Sequence, residues 1–389
     1  MMRRTVIILL LSLSGIAFSQ AYIPGTSYFG RANYIEYVAG NLPLILSVPH
    51  GGNLEPAEIP DRTCGETVTD SYTKELAASV REEIMELTGC TPHMVICHLK
   101  RTKLDANREA DIATCGNQYA DTAWNEYHAF LDSAKAAVER SSGRGLLIDI
   151  HGHGHSIQRL ELGYLLSAAQ LAYPDATLNQ AAIIEISSIR SLAGMNVNNL
   201  SHSDLIHGLY SLGTMFAARG YPAVPGIDEP YPFSGEPYFS GGYITSRHGS
   251  SDEGSVDAIQ IECNQDVRFE ATARNSFAAA AAVIFLNYLI RHYFPGLPDT
   301  YCNTADNGLP EVGDSRIYPV PFGNTITVSV SSPCQLNIYN MEGELMISRE
   351  VSGEEKINTE TLKEGTYLAI LSRGGRVIFR CKTIKGSSR

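Results

Sequence analysis

Basic residues are scarce in this chain of 389 residues, which has 30 lysines and arginines against 42 aspartates and glutamates. The net charge of -12 argues against nucleic acid or an anionic membrane surface as the main partner. Long apolar runs are also missing from the interior of the chain, so no membrane span is expected. No Gly-x-Ser-x-Gly motif follows a predicted strand, which disfavours a serine hydrolase. Hydrophobic residues at 44% and charged residues at 19% are typical of a globular protein with a sizeable core.

The N-terminus has the layout of a secretory signal peptide, which we place at residues 1–19. Arg3 and Arg4 precede an apolar run, Val6 to Leu11, and small residues follow it up to Ser19. Export makes the eight cysteines candidates for disulfides, although the sequence does not give their pairing.

Strands and helices alternate over residues 20–295, which predicts an α/β domain. The fold class expected is a mixed, mostly parallel sheet with helices on both faces. The expected strands are Leu42 to Val48, Thr91 to Leu99, Leu146 to Ile150, Glu161 to Leu166 and Ala258 to Ile261. The expected helices are Asp70 to Leu87, Asp121 to Arg140, Ala176 to Leu192 and Thr272 to Tyr293, with Asp70 as an N-cap.

The composition changes after this domain. Residues 296–314 are rich in Pro, Gly, Asn and Asp and show no periodicity, so we expect a linker there. Residues 315–389 contain short strands separated by turn residues, which predicts a small C-terminal β-sandwich.

Polar clusters follow three of the predicted strands. His50 and Glu55 follow the first, His151 ends the third, and Glu262 ends the last. Ligands in open α/β sheets bind at the carboxyl ends of strands, so these clusters predict an active site. His50, Glu55 and His151 are a ligand set of zinc hydrolases and leave one coordination position for water. Other residues remain open as replacements: for Glu55 they are Glu58, Asp61, Glu66 and Asp70, and for His151 they are His153 and His155.

Glu262 is expected to be the general base, because a carboxylate that ends an apolar strand is costly unless it is paired or catalytic. Three residues that follow the second strand offer planar hydrogen-bond donors for a substrate carboxylate or a developing oxyanion, namely Arg101, Asn107 and Arg108. Arg159 and Arg247 are candidates for further contacts with an acidic substrate.

Four motifs in this order together resemble the N-formylglutamate amidohydrolase family, which is related in fold to zinc carboxypeptidases and aspartoacylase. They are Ser47-Val48-Pro49-His50-Gly51-Gly52, Leu104-Asp105-Ala106-Asn107-Arg108, Asp149-Ile150-His151 and Ile259-Gln260-Ile261-Glu262. The resemblance implies a phosphorylase/hydrolase-like domain with one Zn²⁺ bound by His50 and His151. It also implies that Asn107 and Arg108 hold a substrate carboxylate and that Glu262 serves as general base and acid.

Two further likenesses concern single residues. The loop from His50 to Glu55 looks like the metal loop of phage poly-γ-glutamate hydrolases, which favours Glu55 as a ligand. The gap of five residues differs from the three that separate His and Glu in the zinc peptidases. Arg101 resembles, by its spacing, the arginine that polarises the substrate carbonyl in aspartoacylase.

The tail resembles a type IX secretion C-terminal sorting domain, which implies that the type IX secretion machinery is a partner and that the protein is secreted or held at the cell surface. The segments that carry the likeness are Ile317 to Pro321, Leu336 to Tyr339, Gly365 to Tyr367 and Lys382 to Lys385. We therefore expect a secreted zinc amidohydrolase that cleaves an acidic N-acyl amino acid, a γ-glutamyl compound or a peptide. The alternative is a catalytically inactive surface protein that binds acidic ligands.

Overall fold

The structure is a computed structural model that describes residues 22–252, 254–297, 316–318, 322–340, 344–373 and 376–386. The predicted signal peptide, and the predicted linker apart from its first two residues, lie outside the described residues.

Among the described residues, eight strands form the first sheet, in the order β1-β2-β4-β3-β5-β8-β6-β7. Its four central strands, β4, β3, β5 and β8, are parallel, whereas β2 and β6 run antiparallel to their central neighbours. The strands are β1 (Ser27–Phe29), β2 (Ile35–Val38), β3 (Leu44–Val48), β4 (His93–Cys97), β5 (Gly145–Gly152), β6 (Leu160–Gly163), β7 (Ala223–Val224) and β8 (Val256–Cys263). The predicted mixed sheet is confirmed.

Helices cover both faces of this sheet. Leu76 of α1 and Phe285 of α11 belong to the apolar core on one face, and Trp124 and Leu131 of α3 belong to the core on the other. The helices are α1 (Thr73–Thr88), α2 (Ala110–Thr114), α3 (Gln118–Ser142), α4 (Ala168–Leu171), α5 (Asp175–Leu178), α6 (Ala181–Ile184), α7 (Arg190–Met195), α8 (His202–His207), α9 (Leu212–Ala217), α10 (Tyr243–His248) and α11 (Ala271–His292). Two buried cores, one on each face of the sheet, are expected for a three-layer α/β fold.

Helix α11 is long and apolar enough to cross a bilayer by length and composition. Half of its most apolar stretch of 18 residues is buried, and the helix packs against α1. These contacts favour a core helix over a membrane span.

The predicted helix from Ala176 to Leu192 is broken into α5, α6 and the start of α7. Ser188 explains part of this break, because its backbone bonds to strand and loop residues instead of to its own helix. Its N–H donates to Tyr164 O, and its carbonyl accepts from Ser250 N and Ala258 N. Tertiary hydrogen bonds therefore override a helical pattern in the local sequence.

The part of the C-terminal tail that the structure describes forms a second sheet, which is antiparallel and has five strands. Its strands are β9 (Arg316–Tyr318), β10 (Thr325–Asn340), β11 (Leu345–Asn358), β12 (Gly365–Arg373) and β13 (Arg376–Lys385). β10 spans 16 residues, which is longer than the short strands predicted for the tail, and its register with β11 shifts between Val330 and Cys334. Side chains from both halves of β10 enter one apolar core, so this single long strand contributes to the core on both sides of the register shift.

A disulfide joins Cys64, in the long loop after β3, to Cys115 at the end of α2. The two residues are 51 positions apart, so the bond closes a large loop. This pairing is consistent with the oxidising compartment that export implies.

Replacing both cysteines, in a Cys64→Ala/Cys115→Ala variant, should lower the free energy of unfolding by about 2–4 kcal/mol, because the unfolded chain loses a constraint on a large loop. Denaturant unfolding followed by circular dichroism measures this change. Cys97→Ala is the matched control, since it removes a buried thiol that forms no cross-link. A double variant as stable as this control would contradict the prediction.

Candidate metal centre and active site

Side chains from three neighbouring strands meet at the carboxyl ends of β3, β5 and β8. His50 follows β3 by two residues, while His151 and Glu262 are the last residues but one of β5 and β8. The register pairs His151 with Glu262 and Asp149 with Gln260, so these four side chains lie on one face of the sheet. Parallel strands thus bring together residues that are far apart in the sequence.

His50, Asp70 and His151 form a buried cluster. The Nδ1 atoms of the two histidines lie 3.3 and 3.2 Å from the same Asp70 oxygen, Oδ2. The centroids of the two imidazole rings are 4.9 Å apart. The backbone N–H of Asp70 donates to the carbonyl of His50. This bond brings the end of the long loop back to its first residues, so the Asp70 side chain lies beside the histidines.

Each imidazole is backed by a second buried carboxylate. His50 Nε2 lies 2.6 Å from Asp105 Oδ1, and His151 Nε2 lies 2.8 Å from Asp149 Oδ2. Asp149 is itself held by the Ser47 hydroxyl at 2.7 Å. Carboxylates in this position fix the ring orientation and the tautomer of metal-binding histidines.

The donor set fits a divalent cation. If each Nε2–H donates to its carboxylate, each neutral imidazole presents an Nδ1 lone pair to Asp70 Oδ2, which is also an acceptor. Three acceptors converging on one point require either added protons or a cation between them. Ligands about 2.0–2.1 Å from a tetrahedral zinc lie about 3.4 Å from one another, close to the separations seen here.

The charges of the cluster reinforce one another. Burial by itself raises the pKa of Asp70, but the charges and hydrogen bonds of His50 and His151 outweigh burial and hold that pKa well below its ordinary value. Burial lowers the pKa of His151, but Asp149 and Asp70 reverse this and raise it well above its usual value. The site therefore favours positive charge at the point between Asp70 and the histidines.

Arg101 is tied to this cluster. Its Nη1 lies 3.5 Å from Asp70 Oδ1, and its Nε and Nη2 both lie 3.0 Å from Asp105 Oδ2. The guanidinium therefore spans the carboxylate of the cluster and the carboxylate behind His50. This position favours a role in holding the two acids over direct contact with substrate.

Glu262 lies beside His151 on the neighbouring strand and is 6% exposed. Gln260 Nε2 donates to its Oε1 at 3.1 Å. Burial raises the pKa of Glu262 to about 8; His151 acts in the opposite direction, and Asp70, Glu161 and Asp149 add to the rise. A carboxyl group with a pKa near neutrality is suited to accepting and returning a proton.

Asn107 and Arg108 occupy the loop before α2. Asn107 is buried; its Oδ1 accepts from Ile244 N at 2.8 Å, and its Nδ2 lies 3.4 Å from His151 Nε2. That contact is longer than the bond from His151 to Asp149, so Asp149 sets the tautomer. Arg108 is half-buried and donates to Asn107 O through Nη1, and its remaining donors have no partner among the described residues. Arg108 is therefore the better placed of the two for a substrate carboxylate.

Arg159 and Arg247 are paired with acidic side chains of the protein. Arg159 is buried, and its Nη1 lies 2.7 Å from Glu229 and 2.9 Å from Glu236. Its Nε and Nη2 are buried without a hydrogen-bond partner among the described residues. Arg247 is held on α10 by Asp132 at 3.5 Å, outside the histidine cluster.

The structure does not bring Glu55 to the cluster. Its side chain is half exposed, and its Oε1 lies 3.1 Å from Lys100 Nζ. Leu54 forms an isolated bridge with Leu99, two residues after the end of β4, and the Glu55 that follows it lies at the surface. Asp70, one of the alternatives in the same loop, lies with the two histidines in place of Glu55.

Several residues of the site were not assigned a role from the sequence. Asp105 and Asp149 both lie inside the quoted motifs, so the motifs could have suggested them as partners of the histidines. Arg268 has no such signal: it donates to Cys263 O and His153 O, both at 2.9 Å, and to Ser71 O. It thereby joins the loops that follow β8 and β5 to the start of α1.

Asp149→Asn should weaken zinc binding by about 10–100-fold, because His151 loses the carboxylate that fixes its tautomer. The zinc dissociation constant, measured by competition with a chromophoric chelator, checks this. Asp257→Asn is the matched control, because it also changes a buried aspartate, one that bonds to Ser250 and Tyr293 instead of a histidine. Equal zinc affinities for the two variants would contradict the role given to Asp149.

Comparison with known proteins identifies the tail. Residues 316–385 match the profile of the secretion system C-terminal sorting domain. The protein is therefore directed by type IX secretion to the cell surface or the extracellular space. A search of curated proteins found no match.

Solved structures similar to this chain include three with low sequence identity. The N-formylglutamate amidohydrolase from Ralstonia eutropha JMP134 is 14% identical, with a TM-score of 0.40, over 65% of this chain and 98% of that one. A gene product from Agrobacterium tumefaciens is 12% identical, with a TM-score of 0.38, over 66% and 93%. The succinylglutamate desuccinylase from Chromobacterium violaceum is 11% identical, with a TM-score of 0.32, over 70% of each chain. At these TM-scores the likeness does not by itself assign an activity.

Proposed function

We propose that this chain is a secreted zinc-dependent amidohydrolase that cleaves an amide bond in an acidic N-acyl amino acid, a γ-glutamyl compound or a peptide. One observation carries the proposal: His50 Nδ1 and His151 Nδ1 both face Asp70 Oδ2, at 3.3 and 3.2 Å, and each imidazole is backed by a buried carboxylate. A cation would be bound by such a set of acceptors in place of added protons, and two histidines with one carboxylate are typical of hydrolytic zinc sites.

His50, Asp70 and His151 would hold the zinc. When bound, zinc supplies a Lewis acid that polarises a substrate carbonyl and acidifies a bound water. Asp105 and Asp149 hold the two imidazoles in the tautomer that leaves Nδ1 free. Arg101 holds Asp70 and Asp105 in place through its three donor groups.

Glu262 would move the proton. Its burial excludes bulk water, and its raised pKa lets it exchange a proton near neutral pH. It would accept a proton from the attacking water and deliver it to the leaving nitrogen as the carbon–nitrogen bond breaks. The same carboxyl group then returns to its starting state.

Arg108 would bind the acidic end of the substrate. Its guanidinium has donors that bond to no described residue, and a guanidinium can donate two parallel hydrogen bonds to one carboxylate. Asn107 would fix this loop, because its side chain bonds to the backbone of α10. Arg159 and Arg247 would add charge to the site only when their present acidic partners release them.

A substrate panel on the purified protein tests the proposal. N-acyl glutamates, N-acyl aspartates, γ-glutamyl peptides and neutral N-acyl amino acids would be supplied with and without a chelator. We expect hydrolysis of acidic amides that a chelator abolishes and added Zn²⁺ restores. Binding of acidic ligands without turnover by the zinc-loaded protein would instead support the inactive surface protein.

A further inference from the structure

We propose that the protein has a second divalent-cation site, formed by His153, His155 and Glu161, that is separate from the cluster of His50, Asp70 and His151. One ligand atom from each of the three residues lies within 4.8 Å of the other two. The two sets share no residue.

The three side chains are held in orientations that suit ligation. His153 Nε2 lies 2.8 Å from the Arg159 carbonyl, so Nε2 carries the proton, and Nδ1 accepts from the His155 backbone N–H at 3.1 Å. A cation bound at Nδ1 would replace this backbone hydrogen bond. A ring N–H that donates to a backbone carbonyl is the usual arrangement behind a metal-binding histidine. The Phe239 ring stacks on the His155 ring at 4.8 Å and fixes its plane.

Glu161 supplies the charge. Its side chain is fully buried; Oε2 accepts from Phe239 N at 2.8 Å, and Oε1 faces His155 Nδ1 at 2.8 Å. A buried carboxylate is costly without a compensating positive charge. His155 supplies that charge only when it is protonated, and a bound cation would supply it in place of this proton.

The site is open enough to load. The His155 side chain is 23% exposed, whereas His153 and Glu161 are buried, so a cation can enter past His155. Two imidazoles and one carboxylate suit zinc and neighbouring transition metals better than calcium or magnesium, which prefer oxygen ligands.

The register separates the two sites. Glu161, Glu262 and His151 occupy one row across β6, β8 and β5, so the backbones of Glu161 and His151 are two strand spacings, or about 10 Å, apart. Glu262 lies between them in this row. This placement differs from paired catalytic metals, which lie about 3.5–4 Å apart.

Zinc stoichiometry of the full chain tests the proposal. Protein stripped with a chelator would be loaded with Zn²⁺, freed of excess metal and analysed for zinc per chain by mass spectrometry. We expect about two zinc ions in the wild type and about one in His155→Gln. Glu161→Gln should also bind about one, and circular dichroism shows whether each variant remains folded.

Two further variants complete the test. His50→Ala should keep about one zinc, which identifies the second site independently of the first. His207→Gln is the matched control, because His207 is also a partly exposed histidine paired with an acid, Asp175, at 3.2 Å; it should bind as much zinc as the wild type. A His155→Gln variant with unchanged zinc content, or a His50→Ala variant with none, would overturn the second site. If His155→Gln loses a zinc ion while His50→Ala keeps as much zinc as the wild type, the result supports the second site and refutes the first.

Discussion

Replacing Asp70 with Asn should lower both zinc affinity and amide hydrolysis by more than about 100-fold, which exceeds the usual effect of altering a residue behind a ligand. Asp70 Oδ2 is the only atom that contacts both His50 Nδ1 and His151 Nδ1 among the described residues. An amide of the same shape keeps the packing but removes the negative charge that a cation needs between two imidazoles.

Glu55→Gln is the control for this substitution, because Glu55 lies in the same loop and has the same charge. Its carboxylate contacts Lys100 on the surface, so zinc content and activity should remain within about twofold of the wild type. Both variants would be compared by zinc analysis and by kcat/KM on the best substrate of the panel. If Glu55→Gln loses the metal and Asp70→Asn keeps it, the cluster described here is not the zinc site.

Glu262→Gln should reduce kcat by about 10²–10⁴-fold while the protein keeps its zinc and its fold. The reason is that an amide of the same size cannot carry a proton from water to the leaving nitrogen. The substitution also removes a buried acid whose pKa is raised to about 8, so the folded protein should not lose stability near neutral pH. A folding defect therefore would not account for lost activity.

Three measurements separate these effects: single-turnover rate, zinc content and thermal unfolding. Glu36→Gln is the control, because Glu36 is also partly buried and paired with a histidine, His98, at 2.9 Å. Glu36 lies on β2, which three strands separate from β8. This control should leave kcat unchanged. Full activity in Glu262→Gln would remove Glu262 from the mechanism, whatever happens at the metal.

The carboxyl ends of the central strands could be predicted from the sequence, because each apolar strand stops abruptly at polar residues. His50, His151 and Glu262 were found in this way, and the parallel register brings them together. The roles of Asp105 and Asp149 were within reach of the same motifs, since Asp149 lies two residues before His151 and Asp105 lies in the motif that follows the second strand.

Asp70 shows why the third candidate ligand was harder to find. It precedes a helix, and an aspartate there is normally an N-cap, so local propensity gave it a different role. In the structure Tyr72 is the N-cap, with a left-handed backbone and no side-chain cap bond, while the Asp70 carboxylate turns into the cluster. A distant contact with His151 therefore outweighs the capping bond that the local sequence favours.

The arginines show the same limit. Arg101, Arg159 and Arg247 have similar signals in the sequence, but their partners come from separate segments of the chain. Asp70 and Asp105 draw Arg101 to the histidines, whereas Asp132 on α3 holds Arg247 away from them. Which carboxylate each guanidinium meets depends on packing between elements.

The sequence by itself determined the alternation of strands and helices, the polar strand ends and the separate all-β tail, because hydrophobic period and turn residues act over short distances. Only the tertiary structure decided that Asp70 and not Glu55 joins the histidines, and which acids face which arginines. These contacts depend on where loops of many residues return to the sheet, and loop paths are set by long-range hydrogen bonds and packing instead of by local pattern.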